Sequence, residues 1–320
     1  MTSPMMTGPA LFAPAVRELD GFHDQPAQMP TGAGKDGALR LEFERRGERT
    51  SLVRLYRRVP LLVQQALYHD EQLPGMACVQ LITTTGCVLQ GDRYDLRFLL
   101  GPSTQTHITT QAATKIHEMD ANYAAQSQLI TLQEGAYLEY LPDEVIAHKH
   151  SRFVSATHIV VGAGASMVYA ETLVGGRKYY GDGEMFEFDL YSSRISAARA
   201  EGTNGEGGPL FSEKMVIEPS KRSVRAIGIM GPYEVFANVI VLTPREHIAT
   251  LLSCAPLGLD VGNGCAAGAS VLPNNAGLVL KVVGMNAAAV RAVVRAFVSN
   301  VRIQVCGVGL PADPLWRTQP

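Results

Sequence analysis

The stretch GPSTQTHITTQAATK, residues 101–115, decides the fold, because polar side chains occur in it where a strand should carry core residues. Residues 106–111 alternate between two faces with the two-residue period of a strand, and they bring three threonines and a glutamine into a packed layer. Buried hydroxyl and amide groups need hydrogen-bond partners or water. The stretch therefore predicts a strand whose polar side chains are hydrogen-bonded or hydrated.

Three units of strand, glycine-containing turn and strand surround this stretch. Their turns begin at Gly101, Gly135 and Gly162, so the units repeat at roughly thirty residues. This spacing is typical of the stacked coils of a solenoid or β-helix, but a meander of hairpins in a β-sandwich fits the same pattern. The sequence predicts a mainly β fold of short strands and leaves the two architectures open.

Two amphipathic helices are predicted in the C-terminal third. Thr243-Pro244-Arg245-Glu246 has the spacing of a capping box for the first helix, and Asn286 is the predicted N-cap of the second. The second helix has one apolar stripe, and its arginines are expected on the surface. The stripe consists of Val290, Val294, Phe297, Val298 and Val301, and the arginines are Arg291, Arg295 and Arg302.

Other segments are assigned by composition and alternation. Residues 1–37 are rich in proline and glycine and are predicted to form a disordered arm, and residues 38–320 form one β-rich domain. Residues 185–191 alternate like a strand, and residues 258–268 are expected to form a glycine-rich loop. Trp316 is the only tryptophan and is expected in a loose end or a short docking peptide.

Charge and cysteine content exclude several classes of protein. The net charge of −2 does not indicate a basic surface that would bind nucleic acid or an anionic membrane. The five cysteines form no C-x-x-C pair and are expected as reduced thiols. No apolar stretch is long enough to span a bilayer, and no secretory leader is recognisable. We expect a cytoplasmic protein.

Candidate catalytic and metal-binding residues are sparse. Neither G-x-S-x-G nor H-E-x-x-H occurs, which weighs against a serine hydrolase or a zinc protease. His148 and His150 would lie on one face of an extended segment about 7 Å apart, so with Glu144 they are weak metal candidates, and a solvated pair is the favoured alternative. Acids occur at strand ends, where surface salt bridges are the simpler interpretation: Glu139, Asp143, Glu144, Glu171 and Glu184.

Several blocks in order resemble the urease accessory protein family UreD, called UreH in some bacteria. The blocks span the chain from about Leu39 to the terminal helix. They are Gly91-Asp92, Thr109-Thr110-Gln111-Ala112-Ala113-Thr114-Lys115, Gly135-Ala136-Tyr137-Leu138-Glu139-Tyr140-Leu141-Pro142-Asp143-Glu144, and Gly176-Arg177 with Gly183-Glu184.

The resemblance implies a right-handed, β-helix-like fold with two helices and no catalysis of its own. It also implies a chaperone that acts in a heteromeric complex with UreF, the GTPase UreG and apo-urease, with a dimer of heterodimers as one arrangement. Nickel(II) would be bound only transiently during its insertion into urease, and no tightly bound cofactor is expected. Neither nucleic acid nor membrane is an expected partner.

A nickel carrier needs weak sites, because oxygen ligands compete poorly for nickel against imidazole and thiolate. We therefore expect an internal polar passage lined by Thr110, Gln111, Thr114, Glu139 and Glu144. Further candidate functional residues are Asp92, Lys115, Glu171, Arg177 and Glu184.

Two alternatives remain from the sequence. One is a β-helical enzyme acting on acidic polysaccharide with Glu139 and Glu144 as acid and base. The other is a scaffold that bridges partners without touching nickel. Sugar binding would indicate the enzyme, and interior carboxylate changes that affect only stability would indicate the scaffold.

Overall fold

The protein consists of two open β-sheets with a shared core and two helices on the outer face of the second sheet. The structure is a computed structural model, and it describes residues 17–22, 35–200, 207–260 and 264–311. The prediction of a mainly β fold with two helices in the C-terminal third is confirmed. The rest of the predicted arm, residues 201–206 and Trp316 lie outside the described residues.

The elements follow one another in this order. The strands are β1 (Asp36–Arg46), β2 (Arg49–Arg58), β3 (Leu61–Leu62), β4 (Ala77–Thr83), β5 (Arg93–Leu100), β6 (Gln105–Thr110), β7 (Thr114–Ile116), β8 (Ala124–Leu132), β9 (Tyr137–Tyr140), β10 (Val145–Ala147), β11 (Arg152–Val161), β12 (Ser166–Val174), β13 (Leu190–Arg199), β14 (Pro209–Ile217), β15 (Val235–Leu242), β16 (Gly258–Asp260), β17 (Cys265–Val271) and β18 (Gly277–Gly284). The helices are α1 (Arg245–Ser253) and α2 (Ala287–Cys306), and short 3-10 helices lie at Arg17–Leu19 and Pro273–Asn275.

Parallel pairing dominates the centre of both sheets. The first sheet has the order β14-β13-β11-β8-β5-β1-β2, in which only the edge strands β2 and β14 are antiparallel to their neighbours. The second has the order β16-β17-β18-β15-β12-β9-β6-β4-β3, with β4, β6, β9 and β12 parallel. Strand β10 pairs with both β12 and β7 beside this path.

Between β4 and β13 the chain passes back and forth between the two sheets, and strands of one sheet about thirty residues apart pair in register. Phe98 on β5 lies beside Ile130 on β8, which lies beside Ile159 on β11. In the second sheet, Ile108 on β6 lies beside Tyr140 on β9. One face of these strands is apolar and lies on the core between the sheets, as the two-residue period predicts.

A second core lies between the outer face of the second sheet and the helices. Helix α2 begins after Asn286, whose Oδ1 accepts a hydrogen bond from the Ala289 amide at 2.9 Å, so this predicted cap is confirmed. The predicted capping box of α1 is wrong. The helix begins at Arg245, one residue later than the box predicts, with Pro244 instead of Thr243 at the N-cap, and the Thr243 hydroxyl bonds to Ser166 instead.

Three further predictions differ from the structure. Residues 185–189 form no strand, because Phe186 turns the backbone with a φ of 62°, and β13 begins at Leu190. The expected loop at 258–268 contains β16 and the first part of β17, which continue the second sheet. Within the predicted arm, Leu19 is buried against Val154 and Leu190, so residues 17–22 pack on the body of the protein.

Candidate functional site

A cavity of about 340 Å³ lies between helix α2 and the outer face of the second sheet. Alternation along β6 sends His107 and Thr109 toward the cavity, whereas Ile108 between them enters the main core. The cavity has an apolar side and a polar side. The apolar lining includes Leu67, Leu141, Val294, Val298 and Leu310, and the polar lining includes Asp70, His107, Thr109, Gln111, Asp143, Glu144, Arg291, Arg295 and Arg302.

The Arg302 guanidinium holds two carboxylates at the inner end of the cavity. Its Nη2 lies 2.5 Å from Asp70 Oδ2, and its Nε lies 2.9 Å from Glu139 Oε1. Nη2 also lies 3.0 Å from Met76 Sδ. Arg302 is only 1% exposed, so the expected surface position of this arginine is wrong. Buried charges persist in folded proteins when they are paired, and here one cation is shared by two carboxylates, one of which also contacts His107.

Glu139 is the centre of this buried network. Its Oε2 lies 2.8 Å from His107 Nδ1, and its Oε1 accepts a hydrogen bond from the Tyr137 hydroxyl at 2.8 Å. Burial raises the pKa of Glu139, but the hydrogen bond and charge of His107 and the charge of Arg302 outweigh burial and lower the pKa below its usual value. Glu139 is therefore an ionised, fully engaged carboxylate at neutral pH.

Two cysteines next to this network are protonated at neutral pH. Burial, followed by the charges of Asp70 and Glu139, raises the pKa of Cys78 to about 12. Burial, followed by the charge of Glu139, raises the pKa of Cys306 to about 12. Since the thiolate is the nucleophile and the metal ligand, neither cysteine is prepared for catalysis or for tight metal binding.

Glu144 lies at the outer part of the cavity. Its Oε1 accepts hydrogen bonds from Arg291 at 2.6 Å and 3.0 Å, and its backbone oxygen accepts one from the Thr114 amide at 2.8 Å. The Thr110 hydroxyl accepts a hydrogen bond from the Asp143 amide, which fixes the adjacent turn. The five residues predicted to line a passage are thus grouped around one cavity. Gln111 and Glu144 line it, and Glu139 lies behind it. Thr110 and Thr114 form hydrogen bonds to the backbone of the lining residues Asp143 and Glu144.

The other predicted functional residues do not line this cavity. Asp92 is fully buried and accepts hydrogen bonds from the Lys35 and Leu89 amides and from the Tyr94 hydroxyl, so it fixes the turn before β5. Lys115 is exposed on β7. Arg177 and Glu184 form an ion pair in the loop after β12 at 2.6 Å.

Known proteins are similar in sequence to this chain over nearly its whole length. Residues 35–317 match the UreD urease accessory protein family. The chain belongs to the UreD family of urease accessory proteins. Over 301 residues it is 50% identical to the urease accessory protein UreD 2 of Brucella suis biovar 1, covering 94% of this chain and 98% of the relative. It is 47% identical to the urease accessory protein UreD of Photorhabdus laumondii and 46% identical to that of Yersinia pseudotuberculosis. Each of these matches covers 94% of this chain and 92% of the relative.

Sequence reasoning missed Arg302, Asp70 and His107 in this UreD-family chain. The signal for Arg302 was present, because it follows Val298 by four residues and therefore continues the apolar stripe of α2. A charged residue on an apolar stripe indicates a buried partner. No sequence signal connects Arg302 with Asp70, which lies 232 residues earlier.

Glu171 faces the space between the two sheets, on the opposite side of the second sheet from Glu139. Its Oε2 accepts a hydrogen bond from the Ser193 hydroxyl on β13 at 2.8 Å. Burial raises the pKa of Glu171 to about 7, and hydrogen bonds from Ser193 and Asn238 oppose this only in part. The charges of Glu213 and Lys281, from β14 and β18, act on it as well.

We expect this raised pKa to make stability fall as the pH rises from 4.5 to about 7. Across that interval the unfolded chain releases the Glu171 proton while the folded chain retains it, at a cost of about 3 kcal/mol in the free energy of unfolding. Glu171→Gln should therefore match the wild type at acidic pH and exceed it by up to about 3 kcal/mol above pH 7. Urea denaturation of both proteins, once at a pH below 4.5 and once above pH 7, measures this difference in the free energy of unfolding. The exposed Glu118→Gln is the control, and a variant that is no more stable than the wild type at high pH contradicts the assignment.

His148 and His150 do not face each other. His150 has a φ of 56° and its ring contacts Asp189, whereas the ring of His148 is buried beside His117. Burial, followed by the charges of Arg177 and His117, lowers the pKa of His148. Within residues 17–22, 35–200, 207–260 and 264–311, no three His, Cys, Asp or Glu side chains are grouped to hold a metal ion. Among the helices in those ranges, none has the length and apolar character needed to cross a membrane.

Proposed function

We propose that this chain is a non-catalytic urease maturation factor of the cytoplasm. In this proposal it joins UreF and the GTPase UreG in a complex on apo-urease and helps to insert nickel into the urease active site. Membership of the UreD family supports a role in urease maturation. The cavity between α2 and the second sheet is the observation that supports nickel passage.

The donor atoms at the cavity are suited to passing a nickel ion rather than retaining it. Thr109, Gln111, Asp143 and Glu144 supply hydroxyl, amide and carboxylate oxygens, which bind nickel less tightly than imidazole or thiolate. The His107 ring is already engaged by Glu139. The neighbouring Cys78 remains a thiol, since its pKa is raised to about 12 by burial.

The positive charge of Arg302 bounds the inner end of this route. Asp70 and Glu139 are occupied by the Arg302 guanidinium, which leaves Asp143 and Glu144 as the cavity carboxylates for an incoming nickel ion, and Glu144 is held by the half-exposed Arg291. We also infer that the alternating strands form a right-handed, β-helix-like coil. The in-register parallel pairing of strands about thirty residues apart supports that description.

The alternative as a carbohydrate-active enzyme is less well supported. An acid and base pair must reach the substrate, but Glu139 is fully buried and engaged by three side chains, and Glu144 is bound by Arg291. A scaffold that never contacts nickel fits the same fold, and variants at the cavity distinguish it from a carrier.

We expect Glu144→Ala to lower the nickel content of urease by about twofold or more, because a carboxylate ligand is removed from the route. Arg291→Ala is the matched control, since it breaks the same ion pair but leaves the carboxylate in place. Nickel is measured per urease active site after co-expression with the other accessory proteins, and retention of UreF on the tagged chain shows that the complex is intact. Equal nickel loading by the wild type and Glu144→Ala would favour the scaffold.

A further inference from the structure

Two histidines that directly follow two neighbouring parallel strands lie side by side away from the cavity. Strands β7 and β10 are parallel, with Ile116 beside Ala147, so the residues that follow, His117 and His148, are neighbours. The His148 amide donates a hydrogen bond to the Ile116 carbonyl at 3.0 Å. The ring centres are 5.7 Å apart and the ring planes are inclined by 53°. The stacking of strands therefore pairs these imidazoles, which lie far apart in the sequence.

Each ring retains a nitrogen that can bind a ligand. His117 Nδ1 lies 3.1 Å from the Glu118 carbonyl oxygen, which can only accept, so Nδ1 carries the proton and the Nε2 lone pair remains available. A backbone carbonyl that orients one ring nitrogen is the usual support of a metal-binding histidine. His148 is only 5% exposed, and its Nδ1 is buried without a hydrogen-bond partner among the residues that the structure describes. Leaving such a nitrogen unsatisfied costs stability.

We propose that His117 and His148 form a two-histidine site for a divalent transition-metal ion. An ion bound about 2.1 Å from one nitrogen of each ring lies about 3.2 Å from each ring centre, so two rings that share an ion have centres about 4.5–6 Å apart. The observed separation of 5.7 Å lies in this range. Nickel, copper and zinc are the divalent ions for which imidazole is a good ligand.

The surrounding charges set the expected strength of this site. Lys115 and Arg177 act on His148 as positive charges, and Glu184 acts as a negative one. Glu184 binds Arg177 through two hydrogen bonds of 2.6 Å and 2.7 Å, so that cation is largely compensated. With two protein ligands and water completing the coordination, the site binds more weakly than a closed structural site of four protein ligands. It is separate from the cavity and does not depend on the proposed nickel passage.

Calorimetric titration of the purified full-length chain with Ni²⁺ tests this site without any urease. The wild type should bind one equivalent whose affinity falls by about tenfold or more in His117→Ala, which removes an exposed ligand, and in His148→Asn. His150→Ala is the matched control, because His150 lies in the same segment but pairs with Asp189. Circular dichroism confirms that each variant is folded.

With Cu²⁺ as a second probe, electron paramagnetic resonance should show two nitrogen donors in the wild type and one in His117→Ala. Unchanged Ni²⁺ affinity in the folded His117→Ala variant overturns the proposal. An equal loss in His150→Ala also overturns it, because that result would indicate binding by scattered surface imidazoles. Absence of Ni²⁺ binding to the wild type has the same consequence.

Discussion

Replacement of Arg302 by alanine is expected to lower the free energy of unfolding by about 3–5 kcal/mol, because it leaves two buried carboxylates without their cation. Asp70 and Glu139 lie 2.5 Å and 2.9 Å from the guanidinium, and all three side chains are almost fully buried. The burial cost of the two carboxylates therefore remains after the attraction that offsets it is removed. Arg302→Lys retains the charge but cannot reach both carboxylates as a planar fork does, so we expect an intermediate loss.

Urea denaturation followed by circular dichroism measures these differences. Arg291→Ala is the control from the same helix, since the Arg291 side chain is 55% exposed and its ion pair with Glu144 should contribute no more than about 1 kcal/mol. If Arg302→Ala is too unstable to purify, the free energies of unfolding of Arg302→Lys and Arg291→Ala are compared instead. This comparison still shows which of the two arginines contributes more to stability. Equal stability of the Arg302 and Arg291 variants would show that the buried network is not a major stabilising element.

Much of the fold could be predicted from the sequence, because strand alternation and helical stripes are local signals of burial. The alternation of residues 106–111 predicts β6, and the stripe from Val290 to Val301 predicts the buried face of α2. Residues 265–271 were missed because Ala, Gly and Ser give almost no contrast between two faces. Their strand is defined instead by backbone pairing with β18, which no local pattern encodes.

The candidate site could be predicted only in part. Glu139 and Glu171 both lie within the second sheet, but Glu139 faces α2 and Glu171 faces the first sheet. The two-residue period fixes which residues of one strand share a face, but it does not tell which face a helix more than a hundred residues later will cover. For the same reason His148 was compared with His150, its neighbour in sequence, although strand stacking places it beside His117.

Omitting this chain from urease maturation is expected to abolish most nickel incorporation, which is the largest functional effect that the proposal predicts. Free nickel would still reach apo-urease slowly, but other nitrogen and sulfur ligands in the cell compete for it. If the chain supplies a sheltered route, neither UreF nor UreG can replace it. The effect should therefore persist when both partners are present in excess.

The decisive measurement is the nickel content and activity of urease purified from cells that express its structural subunits and the other accessory proteins, with and without this chain. We expect urease nearly free of nickel and inactive without the chain, with both properties restored when the chain is supplied again. The apo-urease made without it should remain competent for later activation, which separates failed metal insertion from failed folding. Equal nickel loading with and without the chain would contradict the proposed role in urease maturation.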